Sequence, residues 1–315
     1  MLKLALKHLS PQGPSGRLSV LIFHRVLAEP DPLFPDEMHA YRFDSLMSAI
    51  ARTYCVLTLS EALSAREHGR MPTRALTITF DDGYADNARI ALPILKRHGL
   101  KATFFVATGF LDGGRMFNDT VIETLRWTTL DRIDLSDFGL GSFAIDKVQG
   151  RAQAIGALLP VVKYLDLPAR ELAIARLHRL AGHPPLPDDL MMRSEEVRQL
   201  QRSGMEIGAH TVRHPILRVL PDHEAEAEIL HGRDALQTLI DAPVEVFAYP
   251  NGRPTEDYDE RHVEMVARLG FRGAVSTARG TVVRSSDRFQ LPRFTPWDSS
   301  NSRWLARLAT QRVKS

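Results

Sequence analysis

Two adjacent carboxylates and a spaced pair of histidines are the side chains of this sequence that could perform chemistry together. Asp81 and Asp82 follow the apolar, β-branched run 75–80. His210 and His214 are four residues apart, and on a helical turn this spacing places both imidazoles on one side. Two histidines and one carboxylate hold a divalent ion while leaving positions open for water and substrate. We therefore predict a catalytic metal centre, in which one aspartate binds the ion and the other takes a proton from water.

Each of these features also has a purely structural explanation. A chain with 12 histidines contains some pairs at this spacing by chance, and an Asp-Gly pair after a strand is typical of a turn. A turn explains one aspartate and the glycine, but not two acids directly after an apolar strand. His24 follows the apolar run 18–23, where a single histidine is more often a packed structural residue.

The elements that position these residues alternate between strands and helices. Apolar and β-branched runs predict strands over 18–23, 55–57, 75–80, 102–106, 205–209, 244–249 and 271–276, with amphipathic stretches between them. Successive β-α units form a parallel sheet, either open or closed as a barrel. Function in such folds lies at the carboxyl ends of the strands. Four predicted strand ends carry polar residues of catalytic type, at His24, Asp81, His210 and Tyr249.

The segment 115–190 interrupts this alternation with a pattern that predicts helices and no strand. We interpret it as a helical insertion or cap. The rest of the chain is predicted to consist of a leader over 1–17, the α/β domain over 18–114 and 191–298, and a tail over 299–315. Asn118 and Asp119 open the insertion. They either reach over the mouth of the domain toward a substrate or, as the simpler interpretation, cap a helix over 121–127.

The bulk composition excludes several classes of partner. The net charge is only +2, from 40 basic and 38 acidic residues, which argues against nucleic acid. The single cysteine, Cys55, excludes an internal disulfide and a cysteine-rich zinc fold. We find no apolar stretch near the ~18 residues of a membrane span and no signal-peptide pattern. The sequence thus predicts a cytoplasmic protein, and the Lys-bearing first turns leave peripheral membrane association open.

Three motifs resemble those of the polysaccharide deacetylase, or NodB-homology, family. Residues 79–84 (TFDDGY) resemble its first motif, 210–215 (HTVRHP) its second, and 247–252 (FAYPNG) a variant of its third. The resemblance covers about 18–110 and 195–295. It implies a distorted (β/α) barrel with fewer than eight strands, to which the helical segment 115–190 is added. It also implies an enzyme that hydrolyses acetamide groups on N-acetylated sugars with a divalent metal.

The resemblance further implies a role for each site residue. Asp81 would be the general base, and the metal ligands would be Asp82, His210 and His214. Zn²⁺ is the first expectation for the ion, and Co²⁺, Ni²⁺ and Fe²⁺ suit the same donors. The third motif would contact the substrate through Tyr249, Pro250 and Asn251. The backbone N–H of Asn251 would also stabilise the oxyanion.

Two of the departures from the family pattern concern the general acid and the arginine that holds the base. The usual acid is a histidine in a late L-x-H motif, which is missing near this C-terminus, whereas residues 21–24 (LIFH) look like it. Such an arrangement resembles the circularly permuted, poly-N-acetylglucosamine deacetylase type, with His24 as general acid and Ile22 lining the acetyl pocket. The arginine that usually holds the base is also missing. Arg293 either replaces it or is a structural arginine at a strand end.

The leading functional prediction is an N-deacetylase of N-acetylglucosamine-type polymers or oligosaccharides, acting in exopolysaccharide or cell-envelope synthesis. A second is deacetylation of a lipid-linked sugar precursor. A third belongs to another class, a non-catalytic carbohydrate-binding module on the same fold. Bound metal and acetate release discriminate the enzymes from the module.

Overall fold

The computed structural model describes residues 12–295 together with Trp304 and Arg307. The first eleven residues of the predicted leader, and the predicted tail apart from Trp304 and Arg307, lie outside this described part. The boundaries of the leader, the insertion and the tail stay predictions.

Strands and helices alternate along the described chain. The strands are β1 Leu18–Phe23, β2 Cys55–Val56, β3 Ala75–Phe80, β4 Thr103–Val106, β5 Arg132–Asp134, β6 Ser142–Ala144, β7 Glu206–Ala209, β8 Val246–Ala248, β9 Gly273–Arg279 and β10 Leu291–Arg293. The helices are α1 Ala40–Thr53, α2 Leu59–Glu67, α3 Leu92–Arg97 after a π-helical turn at Asn87–Ala91, α4 Phe117–Trp127, α5 Val148–Lys163, α6 Leu167–Leu180, α7 Ser194–Arg202, α8 Asp222–Ile240 and α9 Glu260–Arg268.

Seven parallel strands follow one another around the main sheet in the order β1-β3-β4-β7-β8-β9-β10, and the short β2 pairs with the start of β3. Phe294, just after β10, returns to β1: its N–H donates to the Val20 carbonyl at 2.8 Å, and the Ile22 N–H donates to the Phe294 carbonyl at 3.1 Å. The sheet therefore nearly closes on itself. This confirms the predicted distorted barrel with fewer than eight strands in its circuit.

The strands are buried on both faces, which explains why they appear in the sequence as continuous apolar runs. All six residues of β1 and of β3 are buried. Val20 and Phe105 belong to one apolar cluster, and their neighbours Leu21 and Phe104 to another. Because successive side chains of a strand point to opposite faces, the two clusters are the two sides of the sheet.

The segment between β4 and β7 has an apolar core of its own. This core contains Val121, Leu125, Ile155 and Leu158. The prediction of no strand in this segment was wrong, because β5 and β6 pair as an antiparallel hairpin. Each has only three residues, too few to carry a recognisable alternation. No helix within the described residues is long and apolar enough to cross a membrane.

Candidate metal centre

The turn after β3 separates the two neighbouring aspartates. The Asp81 N–H still donates to the Phe23 carbonyl at 2.9 Å, as a continuation of the β1–β3 pairing. Asp82 and Gly83 then adopt left-handed backbone conformations, with φ of 76° and 94°. A side chain at Gly83 would also approach a methyl group of Val106 to 3.0 Å. The sharp turn lets the two carboxylates, both buried, face different partners.

The two histidines lie in a loop after β7, so the predicted helical turn was wrong. Thr211 and His214 have φ of 65° and 52°, which a right-handed helix excludes. The His214 N–H donates to the Thr211 hydroxyl at 3.1 Å and closes the loop. This loop nevertheless brings the rings of His210 and His214 together, with centroids 4.7 Å apart.

Glu228 on α8 holds this loop in place, a role that sequence reasoning missed. Its buried carboxylate accepts the N–H groups of Val212 and Arg213 at 3.0 and 2.8 Å, and the Arg213 Nε–H at 2.6 Å. One turn further, a side chain at Gly232 would lie 2.7 Å from the Thr211 carbonyl, so only glycine permits this close packing. The signal was present in the sequence, since Glu228 interrupts the buried stripe of α8.

Asp82, His210 and His214 form a three-ligand cluster. The Asp82 Oδ1 atom lies 3.3 Å from His210 Nε2 and 3.4 Å from His214 Nε2, and the three ligand atoms fall within 4.8 Å of one another. Ligand atoms of a tetrahedral ion with bonds of ~2.0–2.2 Å are themselves about 3.3–3.6 Å apart. The three residues therefore fit a divalent ion. The described part of the chain supplies three ligands, which leaves a fourth position of such an ion for water or substrate.

A hydrogen bond orients the His210 ring so that its Nε2 faces the candidate ion position. Its Nδ1–H donates to the Ala248 carbonyl at 2.7 Å, which turns Nε2 toward Asp82. Such a second bond is the usual companion of a metal-binding imidazole, because it fixes the tautomer and the ring. Burial lowers the pKa of the His214 imidazole to about 3, despite the nearby Asp82 carboxylate, so this ring is neutral and has a lone pair to donate. Burial by itself would raise the pKa of Asp82, but the hydrogen bond with His210 opposes it, and the pKa lies well below its ordinary value.

Arg293 holds Asp81 through a buried two-point ion pair. The Nη1 and Nη2 groups of Arg293 donate to Oδ1 and Oδ2 of Asp81, both at 2.7 Å. The guanidinium also donates to the Thr79 hydroxyl at 3.2 Å and to the Ser276 carbonyl at 2.8 Å, and it is 1% exposed. Burial by itself would raise the pKa of Asp81, but Arg293 and His210 outweigh it and hold the pKa below its ordinary value. The Arg293 side chain thus contacts Asp81, as in the interpretation in which it replaces the family's usual arginine.

Two cavities meet at the candidate metal centre. The smaller cavity, of about 250 Å³, is lined on this side by Ile22 and Tyr84. The larger cavity, of about 560 Å³, runs along α5 and is lined by Asp81 and Asn251. His24, Asp82 and Asn118 line both cavities. The His24 residue is exposed, so it stands at their junction in contact with solvent.

Tyr249 and Pro250 do not reach either cavity within the described residues, which corrects their predicted substrate contacts. The Tyr249 ring is fully buried and stacks on Tyr258, with centroids 3.8 Å apart and an interplanar angle of 6°. Burial raises the pKa of its hydroxyl far above the ordinary value. Pro250 is also buried, and its carbonyl accepts the Gly252 N–H at 2.6 Å. Alternation along β8 sends Tyr249 into the same apolar cluster as Phe247.

The start of the insertion supplies polar groups to the smaller cavity. Helix α4 begins at Phe117 after Met116, without a side-chain cap, so the predicted capping role of Asn118 and Asp119 was wrong. The Tyr84 hydroxyl donates to Asp119 Oδ1 at 3.2 Å, and the Asn118 amide donates to the Tyr84 oxygen at 3.2 Å. Burial raises the pKa of Asp119 to about 7.

Known proteins are similar to this chain in sequence and in fold. The family model described as polysaccharide deacetylase matches residues 68–274. The YxkH protein of Bacillus subtilis (strain 168), whose name assigns it to the polysaccharide deacetylases, is 20% identical over 280 residues, which cover 88% of this chain and 71% of YxkH. The deacetylase PplD of Streptococcus pyogenes, solved in complex with acetate, superposes with a TM-score of 0.63 at 18% identity, covering 93% of this chain and 98% of PplD. IcaB from Ammonifex degensii superposes with a TM-score of 0.59 at 19% identity, covering 96% of this chain and 98% of IcaB.

The family match extends over more than half of the 315 residues. It contains Asp81, Asp82 and the two histidines of the cluster, whereas β1 with His24 and β10 with Arg293 lie outside it. The matched segment thus includes the whole three-ligand cluster, at the strand ends where the motifs were found. This chain belongs to the polysaccharide deacetylase family of hydrolases.

Proposed function

We propose that this protein removes acetyl groups from N-acetylglucosamine-type polysaccharides or oligosaccharides by metal-dependent hydrolysis. The observation that carries the proposal is the spacing of the ligand atoms of Asp82, His210 and His214, which fits a tetrahedral ion with one position open. Zn²⁺ is the ion we propose, and the same donors accept Co²⁺, Ni²⁺ or Fe²⁺. Membership of the family supports an acetylated sugar as the substrate.

Asp81 is the proposed general base. When bound, a divalent ion supplies Lewis-acid chemistry, since it polarises a carbonyl oxygen and lowers the pKa of water. Asp81 lines the larger cavity beside the two histidines, and Arg293 fixes its orientation through both oxygens. Each carboxylate oxygen has two lone pairs, so each keeps one after it accepts from Arg293. Asp81 can therefore take the proton of the water that attacks the acetyl carbon.

His24 is the proposed general acid. It stands at the junction of the two cavities, next to Asp82 in their lining. A protonated imidazole there can give its proton to the amine that leaves the acetyl group, and solvent can then reprotonate the exposed ring. The products are acetate and a free amino sugar.

The backbone N–H of Asn251 is proposed to stabilise the oxyanion that forms when water adds to the acetyl carbon. Asn251 lines the larger cavity with a φ of 60°. Within the described residues, no acceptor is bonded to this N–H. A donor that is already fixed and unpaired is suited to a charge that develops only during the reaction.

The size of the larger cavity supports a sugar chain as substrate. Its volume of about 560 Å³ lies within the ~300–1,000 Å³ of sites for ligands larger than one small group. We propose exopolysaccharide or cell-envelope synthesis as the setting, since these processes make N-acetylated sugar polymers.

The proposal is tested by acetate release from N-acetylglucosamine oligosaccharides and from lipid-linked N-acetyl sugars. The protein is stripped of metal and reconstituted separately with Zn²⁺, Co²⁺, Ni²⁺ and Fe²⁺. We expect release only after reconstitution, and a loss of about 10²–10⁴-fold in the Asp81→Asn variant, as for removal of a general base. Unchanged release by Asp81→Asn would contradict the mechanism. Sugar binding without any acetate release would identify a non-catalytic carbohydrate-binding module instead.

A further inference from the structure

The smaller cavity beside the candidate metal centre has polar groups for which the mechanism has no use. Several charges in its wall are already paired within the described residues. Arg25 donates to Asp86 at 2.8 Å and lies over the Tyr84 ring at 4.7 Å from its centroid. Arg126 donates through two nitrogens to Asp31, at 3.0 and 2.6 Å. These charged groups are already engaged by other parts of the protein.

Asn118 and Asp119 differ from those pairs, because each keeps one atom without a partner. Asn118 Oδ1 and Asp119 Oδ2 are buried and have no hydrogen-bond partner among the described residues. Asp119 is 3% exposed. The other polar atoms of the two side chains are occupied by the Tyr84 hydroxyl, which accepts from Asn118 and donates to Asp119. Tyr84 thus fixes both side chains, with the orphaned oxygens left over.

A buried oxygen without a hydrogen-bond partner is unfavourable, and a ligand that brings a matching group relieves that cost. The Asn118 Oδ1 atom can only accept, so it requires a donor. Asp119 accepts when ionised and donates when protonated. A hydroxyl group both donates and accepts, so it can pair with Asn118 Oδ1 and with Asp119 in either protonation state. An apolar acyl chain or an ionised carboxylate has no donor group, so neither can pair with Asn118 Oδ1.

The size of the cavity limits what it can take. Its volume of about 250 Å³ is below the ~300–1,000 Å³ of ordinary ligand sites, so it takes one ring rather than an extended chain. Asp82 and His24 also line it, so a ring placed there is next to the reacting acetamide.

We propose that Asn118 and Asp119 form a hydroxyl-recognition site for the sugar ring that carries the acetamide, and so determine substrate specificity. This inference rests on the proposed function, since it assigns a sugar to the same site. The helical insertion then contributes to recognition through the start of α4, while the strand ends of the barrel carry the chemistry.

Wild-type protein, Asn118→Ala and Asp119→Asn are compared on di-N-acetylchitobiose and on its analogues that lack one ring hydroxyl. We expect wild type to prefer the parent sugar by about tenfold in kcat/KM over at least one analogue. Each variant should raise KM for the parent about three- to tenfold with little change in kcat, and should lose the preference against that same analogue. Asp137→Asn, at an exposed Asp137–Arg176 pair of the insertion, is the matched control and should keep both parameters.

The possible failures are distinguishable from one another. If wild type releases acetate but treats all analogues alike, or if the variants keep its KM and its preference, the hydroxyl site is wrong while the proposed function stands. If both variants lose metal or fail to fold, Asn118 and Asp119 are structural and the inference is overturned. If metal-loaded wild type releases no acetate from any of these sugars, the proposed function fails and the hydroxyl site with it.

Discussion

The proposed base and the proposed acid occupy opposite environments. Asp81 is buried, held by two hydrogen bonds from Arg293, and lies within the segment 68–274 that the family model matches. His24 is exposed, stands between two cavities and lies outside that segment. A buried group is fixed before the reaction but ties activity to stability, whereas an exposed group exchanges protons freely and is held by little. We call the surroundings of Asp81 the buried side and those of His24 the exposed side. Substitutions on the buried side should change stability as well as activity, whereas substitutions on the exposed side should change activity alone.

The largest effect is expected on the buried side, from His210→Ala. This change removes one of the three candidate ligands of the cluster, the imidazole that the Ala248 carbonyl holds in place. An ion contributes several kcal/mol to the stabilisation of the transition state. We expect metal content near zero and acetate release lowered by about 10³-fold or more, measured on protein reconstituted with Zn²⁺.

His262→Ala is the matched control for that loss. His262 is equally buried and contacts the Leu217 carbonyl through Nε2, but it is not part of the ligand cluster. This variant should lose stability and still hold its ion. Equal metal loss in both variants would mean that metal binding reports only general folding, and would remove the support for the cluster.

The second prediction concerns the ion pair of Arg293 and Asp81. Arg293→Ala leaves the Asp81 carboxylate buried without its partner, which should destabilise the protein by about 3–5 kcal/mol in urea unfolding. Asp81→Asn in the same chain removes the charge, so the double variant should be more stable than the sum of the single changes predicts. Arg268→Ala breaks an exposed pair with Glu226 and should cost no more than about 1 kcal/mol. Simple additivity of the two buried changes would contradict a direct pairing.

On the exposed side, His24→Ala should separate activity from stability. No buried charge is left behind, so we expect the free energy of unfolding to change by less than about 0.5 kcal/mol. Acetate release should fall about 10²-fold, as for loss of a general acid, with metal content unchanged. The exposed His223 on α8 provides the control, since His223→Ala should leave both properties as they are. A loss of stability like that of Arg293→Ala would contradict the prediction that His24 contributes to activity and not to stability.

The same contrast separates what the sequence predicts well from what it does not. The strand that ends at Asp81 is visible because it is a buried, continuous β-branched run, and local pattern alone places the two acids at its end. Family motifs then identify the histidine pair. The backbone of that pair was mispredicted, since i, i+4 spacing also occurs in a loop with left-handed residues at Thr211 and His214.

Features that depend on distant parts of the chain were harder to predict. The Arg293–Asp81 contact joins residues 212 positions apart and exists only because β10 pairs with β9 and the chain then returns to β1. No local pattern distinguishes this arginine from a structural one. Its motif led to the prediction that Tyr249 contacts the substrate, but the direction of its ring depends on packing against Tyr258. Glu228 carried a local signal, a buried acid in an apolar stripe, whose partner could not be inferred from the sequence.

The smallest effect is expected from Glu228→Gln, which tests how strongly the loop that carries the two histidines is fixed. A neutral amide accepts more weakly than a carboxylate from the N–H groups of Val212 and Arg213, and it loses the ion pair with Arg213. The ligand side chains are untouched, so Zn²⁺ affinity should fall only about tenfold, as for other supporting groups around a metal. Glu224→Gln changes an exposed residue of the same helix and should leave the affinity unaltered. If Glu228→Gln matched the metal loss of His210→Ala, the loop rather than the ligand set would be the main determinant of binding, and the buried side would depend on one carboxylate that contacts no ion.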